Sequence, residues 1–375
     1  MANTHTYRVR VSRLACGLLV LAALLAAFTV APRPAAASER WIIDTDMGID
    51  DWAALLFMAH NPDSRILAIT SSGNGLARCG PGERNAHRIL RLASDREPVG
   101  CSNSYPMDGF AAYPGQWRDE TDGLLGIPVP AANGRFRHRS SVALMTKTLR
   151  SSRKPVSILS IGAMSNIAEV LINKPRLAQK IRRIVAMGGA VDVPGNIRVH
   201  GFTENSPNTV AEWNLFIDPP AAKAVFDSSV PLEIVPLDAT NQVPLTRSFI
   251  DRFRTVATGP DGRFIYRVFN QVSTSNSAGE YFHWDPLAAA IADKPSLCEV
   301  REKRRLTVMS TATGPATRAG FPARNWFGRP RNEIDEATAG GLTSIGARRS
   351  VSVCMKANAA AFEQYMIDAY AKPNS

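Results

Sequence analysis

The stretch Trp41-Ile-Ile-Asp-Thr-Asp-Met-Gly-Ile-Asp-Asp51 decides the fold, because an apolar run ends within it and a helical pattern follows directly. The apolar run ends at Ile43, and the helical pattern continues from Asp51 through Ala59. Gly48 lies between them, where a sharply turning chain favours glycine. The stretch therefore predicts the end of a buried strand, a tight turn and the N-terminus of a helix.

Four carboxylates fall within this stretch, on Asp44, Asp46, Asp50 and Asp51. Two like charges ~4 Å apart repel by about 4 kcal/mol at an effective dielectric constant of about 20. A helix N-terminus supplies only about half a positive charge, whereas a divalent cation supplies more, and oxygen ligands suit Ca²⁺ or Mg²⁺. Ordinary helix-start and turn chemistry is the alternative explanation for each aspartate taken singly.

The spacing of the aspartates excludes a calcium loop of the EF-hand type, which needs acids at about positions 1, 3 and 5 and glycine at about position 6. Here Gly48 takes the fifth place, and a buried strand precedes the motif. Phosphatases of the haloacid dehalogenase type remain an alternative at this point. They also carry Asp-x-Asp after an apolar strand, and the first aspartate, here Asp44, would be the nucleophile.

The first 38 residues have the composition of a secretory signal peptide. Arginines at positions 8, 10 and 13 precede an apolar run over residues 14–30, and small residues at 35–38 offer a cleavage site. The apolar run is short for a membrane span. We therefore predict a signal peptide over residues 1–38 and a catalytic domain over residues 39–375. The mature protein would be periplasmic or secreted and free of the membrane.

Removal of residues 1–38 takes away four arginines and no acid, which lowers the net charge from +11 to +7. The remaining positive charges are dispersed, as at 135–139 and 301–305, and we find neither a basic helix face nor a row of aromatic residues among them. A solvated surface therefore explains the charge better than nucleic-acid binding does.

Four cysteines remain after that cleavage, and an even number in an exported protein permits two disulfides. We predict that neighbours along the chain pair, Cys79 with Cys101 and Cys298 with Cys354. No pair of cysteines or cluster of cysteine and histidine has the spacing of a zinc site.

Strand-like apolar runs alternate with helical patterns along most of the chain. Strands are predicted at residues 65–70, 156–161, 181–187 and 232–237, and helices at 83–93, 142–149, 166–172, 221–226 and 285–292. The alternation predicts an α/β fold whose mostly parallel, Rossmann-like sheet has helices on both faces. Near the C-terminus, residues 306–309 are expected to pair with 350–354, before a helix over 359–370 that Asn358 caps.

Such sheets bind ligands beyond the carboxyl ends of their strands. The rule gathers residues 44–51, 72–74, 162–166 and 188–196 on one rim.

Three further stretches stand out. Glu212-Trp-Asn214 places an acid and an amide on one side of an extended segment, and Asp285 stands where a helix N-cap belongs. The glycine-rich stretch 109–126 carries Tyr113 and Trp117, which suggests a lid, although packing on the body would also explain the rings.

The ordered series of motifs resembles the inosine-uridine-preferring nucleoside hydrolase family over nearly the whole mature chain. The series reads Asp44-Thr-Asp-Met-Gly-Ile-Asp-Asp51, Gly73-Asn74, Gly162-Ala-Met-Ser-Asn-Ile-Ala168, Met187-Gly-Gly189, Asn196, Ala211-Glu-Trp-Asn214, Ile217-Asp-Pro219 and Asp285-Pro-Leu-Ala288. It displaces the phosphatase alternative. The resemblance implies the nucleoside hydrolase fold and a Ca²⁺-dependent hydrolase that splits the N-glycosidic bond of a ribonucleoside into free base and ribose.

The resemblance also implies a role for each matching residue. The Ca²⁺ ligands would be the carboxylates of Asp46, Asp51 and Asp285 and the backbone carbonyl of Ile161. Asp46 would also be the general base that activates a metal-bound water. Asp44 would be a buried supporting acid. The ribose hydroxyls would be held by Asp50, Asn74, Asn196, Glu212 and Asn214.

Departures from the inosine-uridine pattern favour purine nucleosides. Trp284 stands where that pattern often has histidine, with His283 one place earlier. The lid lacks a clear His-Gly, with Asp119 near the expected place, but it does carry Trp117. The resemblance to the purine-specific branch implies a base stacked between two indoles, here Trp117 and Trp284, an arrangement that favours a protonated purine. A second departure is the long gap between Asn196 and Glu212.

The expected partner is therefore a small-molecule nucleoside, and the resemblance leads us to expect a homo-oligomer, either a dimer or a tetramer. Two alternatives stay open. The same site could act on another ribosyl compound, or the chain could be a secreted ribose- or nucleoside-binding protein without turnover. Asp46 speaks against the binding protein, because a binder needs no general base.

Overall fold

A computed structural model of the chain describes residues 1–2, 38–131, 138–275 and 281–371. The predicted signal peptide therefore lies almost entirely outside the described residues. The compact unit that carries the described elements begins at Ser38. Among the described residues, no helix has both the length and the apolar character needed to cross a bilayer.

The described strands are β1 (Glu39–Thr45), β2 (Ser64–Ser72), β3 (Val99–Ser102), β4 (Val156–Ile161), β5 (Ile181–Met187), β6 (Leu232–Val235), β7 (Cys298–Arg305), β8 (Thr307–Val308), β9 (Ala312–Pro315), β10 (Asn332–Ile334), β11 (Leu342–Thr343) and β12 (Ser350–Ala357). The described α-helices are α1 (Ile49–His60), α2 (Cys79–Leu92), α3 (Gly115–Asp122), α4 (Ser141–Ser151), α5 (Ser165–Asn173), α6 (Trp213–Ile217), α7 (Pro219–Phe226), α8 (Leu237–Thr240), α9 (Arg247–Val256), α10 (Pro260–Ser275), α11 (Trp284–Asp293) and α12 (Ala359–Ala371). Short 3₁₀ helices cover Leu124–Gly126, Pro175–Lys180 and Pro295–Leu297.

Eight of these strands form the main sheet, in the order β3-β2-β1-β4-β5-β6-β12-β7. Neighbours in this sheet pair in parallel except β7, which runs antiparallel to β12. The predicted α/β fold with a mostly parallel sheet is confirmed. Since β1 lies near the middle of the sheet, both of its faces are covered, which explains why its apolar residues are consecutive.

Successive residues of β1 face opposite layers of helices, as the period of a strand requires. Trp41 and Ile43 belong to a core that α1, α9, α10, α11 and α12 complete. Ile42 belongs to a second core, on the other face, that α4, α5 and α7 complete. The three side chains are fully buried, so β1 and the residues that follow it have a fixed position between the two layers.

The predicted pairing near the C-terminus is wrong. β12 pairs antiparallel with β7, from Ser350 opposite Arg305 to Ala357 opposite Cys298, whereas Thr307–Val308 pairs with β11. β7 reads Cys-Glu-Val-Arg-Glu-Lys-Arg-Arg, and it lies at one edge of the main sheet. Charged residues protect edge strands from unwanted pairing, and they also removed the apolar signal that would have revealed this strand.

Both predicted disulfides are present in the structure. Cys79 at the start of α2 bonds to Cys101 in β3, and Cys298 in β7 bonds to Cys354 in β12. The predicted cap of the last helix is also confirmed, because Asn358 Oδ1 accepts a hydrogen bond from Ala361 N at 2.9 Å.

Candidate active site

The turn after β1 holds the candidate base, Asp46. Met47 adopts φ of 58°, in the left-handed region, and its backbone N donates to Thr45 Oγ1 at 2.8 Å. The Thr45 hydroxyl in turn donates to the carboxylate of Asp51. Gly48 N donates to Asp46 Oδ1 at 3.2 Å, directly before α1 begins. The turn thus fixes Asp46 and Asp51 relative to each other.

Two glycines allow the backbone to approach Asp46 closely. A Cβ atom on Gly75 would lie 2.1 Å from the Cβ of Asp46, and one on Gly162 would lie 2.6 Å from its backbone N. Leu76 N donates to Asp46 Oδ2 at 3.1 Å. Ile161, whose carbonyl is a predicted metal ligand, lies opposite Thr45 in the pairing of β4 with β1, beside the same turn.

Three carboxylates beside Asp46 form a candidate metal centre. Asp50 and Asp51 lie in the first turn of α1, and Asp285 lies in the first turn of α11. One carboxylate oxygen of each lies within 4.8 Å of the other two. Asp285 N also donates to Asp50 Oδ2 at 3.3 Å. Since α11 begins at Trp284, the expectation that Asp285 caps a helix is wrong, and capping does not explain it.

Burial and mutual repulsion make these carboxylates difficult to ionise. Burial raises the pKa of Asp51 and of Asp285, and the negative charges of the neighbouring aspartates raise it further. Burial likewise raises the pKa of Asp50 to about 6 and raises the pKa of Asp46. A hard divalent cation would relieve this repulsion, and buried carboxylate oxygens are the donors that it prefers. The residues therefore fit a Ca²⁺ or Mg²⁺ ion.

Asp44 lies behind this cluster and is held by side chains from two neighbouring elements. Its Oδ1 accepts hydrogen bonds from Thr70 Oγ1 at 2.6 Å and from Asn166 Nδ2 at 2.9 Å. Its Oδ2 is buried and has no hydrogen-bond partner among residues 38–131, 138–275 and 281–371, and burial raises the pKa of this carboxyl to about 7. The position is that of a supporting acid beneath the rim.

Glu212 and Asn214 are fixed by a short helix, so the predicted extended segment is wrong. Glu212 caps α6, because its carboxylate accepts hydrogen bonds from Asn214 N at 2.8 Å and Leu215 N at 3.4 Å. It also accepts one from Gly189 N, after β5, at 3.0 Å. Burial raises the pKa of Glu212 to about 7. The Asn214 amide donates to Met187 O at 3.3 Å, at the end of β5.

Asn196 remains next to Glu212 despite the long gap between them in the sequence. Asn196 N donates to Ala211 O at 3.0 Å, so the intervening residues leave the rim and return to the same place. Trp213 N donates to Asn196 Oδ1 at 3.2 Å, and the indole N–H of Trp213 donates to Asn196 O at 3.1 Å. On the opposite side, Asn74 Nδ2 donates to Ser165 Oγ at 2.8 Å.

The two indoles predicted to stack on the base belong to different aromatic groups. Trp117 packs against Phe202 at 5.1 Å and Trp213 at 5.6 Å between ring centroids. Trp284 packs edge-on against Tyr281 at 4.8 Å. The sandwich stays a prediction.

His283 lies in the core. Phe249, Phe269 and Phe362 surround its ring, and burial lowers its pKa to about 3.

Two tyrosines were not among the predicted site residues. Burial raises the pKa of Tyr113 and of Tyr281, and the charges of Asp46, Asp50 and Asp51 raise both further. Both phenols therefore lie near the acidic cluster. Tyr113 also stacks on Trp213 with ring centroids 4.7 Å apart. The sequence offered one signal for each tyrosine. Tyr113 lies in the predicted lid, and Tyr281 lies four residues before Asp285.

The fold and the site define a class of α/β protein in which a candidate cation site at the carboxyl ends of parallel strands is surrounded by amide and carboxylate side chains. Such a rim suits a ligand with several hydroxyl groups. The family model described as inosine-uridine preferring nucleoside hydrolase matches residues 41–364. The chain belongs to this family, as the ordered motifs predicted.

Curated relatives and solved structures agree with this assignment. The pyrimidine-specific ribonucleoside hydrolase RihA of Salmonella schwarzengrund is 35% identical over 218 residues, which are 57% of this chain and 65% of the relative. The match thus spans less than two thirds of that relative.

Two solved structures establish the fold. The inosine-uridine preferring nucleoside hydrolase of Bacillus anthracis has a TM-score of 0.66 at 21% identity, covering 89% of this chain and 100% of that chain. The purine-preferring ribonucleoside hydrolase of Gardnerella vaginalis has a TM-score of 0.63 at 22% identity, covering 89% of this chain and 98% of that chain.

Proposed function

We propose that this chain is an exported, Ca²⁺-dependent nucleoside hydrolase that splits ribonucleosides, preferably purine nucleosides, into free base and ribose. The single observation that carries the proposal is the cluster of Asp50, Asp51 and Asp285 beside a fixed Asp46. Family membership gives the reaction class, and this cluster supplies the candidate cation site and the base that the reaction needs.

The cation would be held by Asp46, Asp51 and Asp285 and by the carbonyl of Ile161, and the carboxylate of Asp50 is close enough to join them. When bound, the cation supplies the positive charge that keeps these carboxylates ionised and that makes a water molecule more acidic. The closeness of Asp50 to Asp51 and Asp285 links the cation site to the ribose, because the resemblance assigns Asp50 to a ribose hydroxyl.

Asp46 is the proposed general base. Backbone N–H groups of Gly48 and Leu76 hold its carboxylate, and the close approach of Gly75 and Gly162 limits its rotation. A base that is already oriented accepts the proton of the attacking water without first reorganising. The water oxygen then bonds to C1′ of the ribose while the electron pair of the C1′–N bond leaves with the base.

The remaining polar side chains would hold and stabilise the ribose. Cleavage of a glycosidic bond develops positive charge on the sugar ring, and carboxylates and amide oxygens nearby stabilise that charge. Asn74 Oδ1 is buried and finds no partner within the described residues, so it is available to accept a hydrogen bond from a ribose hydroxyl. Glu212, Asn214 and Asn196 would bind other hydroxyls from the far side of the rim.

Substrate preference within this class belongs to the proposal. Relatives of this chain are described both as pyrimidine-specific and as purine-preferring. We favour purine nucleosides because Trp284 stands before Asp285, packed on Tyr281 near the acidic cluster, where an indole could stack on a base. Trp117 would approach from the lid.

Export and assembly complete the proposal. The composition of residues 1–38 supports export. Two disulfides in the described part of the chain are consistent with an oxidising compartment. A homo-oligomer, expected from the resemblance, is tested by the mass of the mature protein in solution.

The test is release of free base and ribose from inosine, adenosine, guanosine, uridine and cytidine by the mature protein. We expect release with Ca²⁺, faster from the purine nucleosides, and loss of release with a chelator that Ca²⁺ reverses. Equal rates on purine and pyrimidine nucleosides would contradict the predicted stacking of the base between Trp117 and Trp284. Activity indifferent to both chelator and Ca²⁺ would contradict the metal assignment, and absence of release from all five would contradict the proposed function.

A further inference from the structure

Arg118 brings a positive charge to the acidic rim. It lies on α3, and its Nη2 donates to Gly73 O at 2.7 Å, one residue before Asn74. Its Nε is buried and has no hydrogen-bond partner in the part of the chain that the structure describes. Burial lowers the pKa of Arg118, and the charge of Asp46 opposes that shift, so the guanidinium lies within electrostatic range of the proposed base.

The position of α3 does not depend on Arg118 alone. Asp119 and Asp122 of the same helix form ion pairs with Arg78 Nη1, at 2.8 Å and 2.6 Å. Arg78 N also donates to Asp122 Oδ1 at 2.9 Å. Trp117 adds packing against Phe202. These contacts anchor the helix, so the inward direction of Arg118 calls for a separate explanation.

Two unsatisfied polar atoms belong to Asn74 and to Arg118, whose side chain contacts the turn that carries Asn74. Among the described residues, Arg118 Nε is a donor without an acceptor, and Asn74 Oδ1 is an acceptor without a donor. Buried polar atoms are nearly always paired, so unpaired ones at a ligand site indicate groups that the ligand supplies. A ribose hydroxyl can donate to Asn74. Arg118 requires an acceptor, and the ring nitrogens and keto oxygens of a nucleoside lie on its base.

We propose that Arg118 is a specificity-determining residue that donates a hydrogen bond to an acceptor on the leaving base and thereby favours bases that carry a keto oxygen. The inference rests on the proposed hydrolase function. The C1′–N electron pair moves onto the base as the bond breaks, and the base then takes a proton from solvent. Arg118 stays protonated throughout, and its hydrogen bond stabilises the negative charge on the base before that proton arrives.

Inosine and adenosine isolate this contact. The two differ along the C6–N1 edge of the purine: inosine presents a keto oxygen at C6 and an N1–H donor, whereas adenosine presents an amino group at C6 and an N1 acceptor. An arginine has donors only, so it pairs with the keto oxygen and opposes the amino group. The ratio of the two kcat/KM values therefore reports the proposed contact, whereas general damage to the site would lower both values together.

The experiment measures kcat/KM of the mature protein and its variants on inosine, adenosine and p-nitrophenyl riboside, with Ca²⁺. For Arg118→Ala we expect a loss of about ten- to a hundredfold on inosine and a smaller loss on adenosine. The nitrophenyl riboside should change by no more than about threefold, because nitrophenolate leaves without help. Arg118→Lys keeps the charge but not the planar fork, so it should recover part of the loss on inosine.

Arg78→Ala is the matched control, because it removes an arginine that holds the same helix from the solvent side. It should lower all three values by one common factor. Equal losses on the three substrates in Arg118→Ala, or an unchanged inosine-to-adenosine ratio, would overturn the inference while the wild-type rates still support the hydrolase. A wild-type protein inactive on all three would overturn the proposed function and, with it, the role of Arg118.

Discussion

At the scale of single residues, the site depends on how closely the backbone surrounds Asp46. Gly75 and Gly162 leave no room for a Cβ atom beside it, and two backbone N–H groups hold its carboxylate. A buried carboxylate with fixed hydrogen bonds is poorly placed to respond to solvent but well placed to take one proton from one direction. This fixed orientation distinguishes Asp46, the proposed base, from the neighbouring aspartates of the cation site.

Asp46→Asn should lower kcat on inosine by about a hundredfold to ten-thousandfold, the usual contribution of a general base. Asparagine keeps the shape of the side chain but cannot accept a proton, so substrate binding should persist. Steady-state rates and equilibrium binding of inosine measure the two effects. Asp192→Asn is the control, since Asp192 is an exposed aspartate paired with Arg304. Nearly normal turnover by Asp46→Asn would remove Asp46 as the base.

At the scale of elements, most buried strands were predictable, but the short buried strand β3 and the charged strand β7 were not. The predicted strands at 156–161 and 181–187 coincide with β4 and β5 because most of their residues are apolar and buried. β7 was missed because six of its eight residues are charged. The helix α6, which Glu212 caps, was missed because its five residues are too few to show a helical period.

In the candidate site, local motifs were predictable from the sequence, whereas contacts between distant residues were not. The aspartates after β1 and Asp285 in the first turn of α11 could be predicted because their motifs are local, and the carboxyl ends of parallel strands meet at one rim. The contact of Arg118 with Gly73 could not, because it joins residues 45 apart in the sequence. The returning segment between Asn196 and Glu212 likewise depends on a hydrogen bond, from Asn196 N to Ala211 O, that no local pattern indicates.

The two disulfides should differ in their effect on activity. In the loop-entropy model each adds about 3–5 kcal/mol to the free energy of unfolding. Cys79 Sγ lies 2.5 Å from where a Cβ of Gly73 would be, so the first disulfide packs against the turn that carries Asn74. The second joins β7 and β12, beyond β6 in the sheet.

We therefore expect Cys79→Ser with Cys101→Ser to lower both the thermal midpoint and kcat/KM on inosine. Cys298→Ser with Cys354→Ser is the matched control and should lower the midpoint alone. Thermal unfolding and steady-state kinetics on both double variants, each assayed well below its midpoint, make the comparison. An equal loss of activity in the two variants would contradict a specific role of the first disulfide at the rim.

At the scale of the whole molecule, the fold concentrates buried carboxyls whose pKa values are raised. Burial raises the pKa to about 7 for Asp44, Glu212 and Asp218 and to about 6 for Asp50. The first three accept several hydrogen bonds, which lower the pKa, yet burial outweighs them. Without a cation, the folded chain therefore binds more protons than the unfolded chain between about pH 4 and pH 7.

The sign of the resulting pH dependence follows from those raised values. A carboxyl whose pKa is higher in the folded state stabilises the fold fully below its unfolded pKa, and that contribution is lost as the pH rises through the folded pKa. The free energy of unfolding should then fall by about 1.4 kcal/mol per pH unit for each extra proton held. In chelator, the thermal midpoint should therefore fall as the pH rises from about 5 to about 8.

Ca²⁺ should oppose this trend, because it binds the ionised carboxylates of the folded chain and protons compete with it. The rise in thermal midpoint on adding Ca²⁺ should therefore be larger at about pH 8 than at about pH 5. Thermal scans across this range in chelator, in Ca²⁺ and in monovalent salt of matched ionic strength measure the effect. A Ca²⁺ shift independent of pH would show that the ion does not bind these carboxylates, and a midpoint in chelator that rises with pH would contradict the raised pKa values.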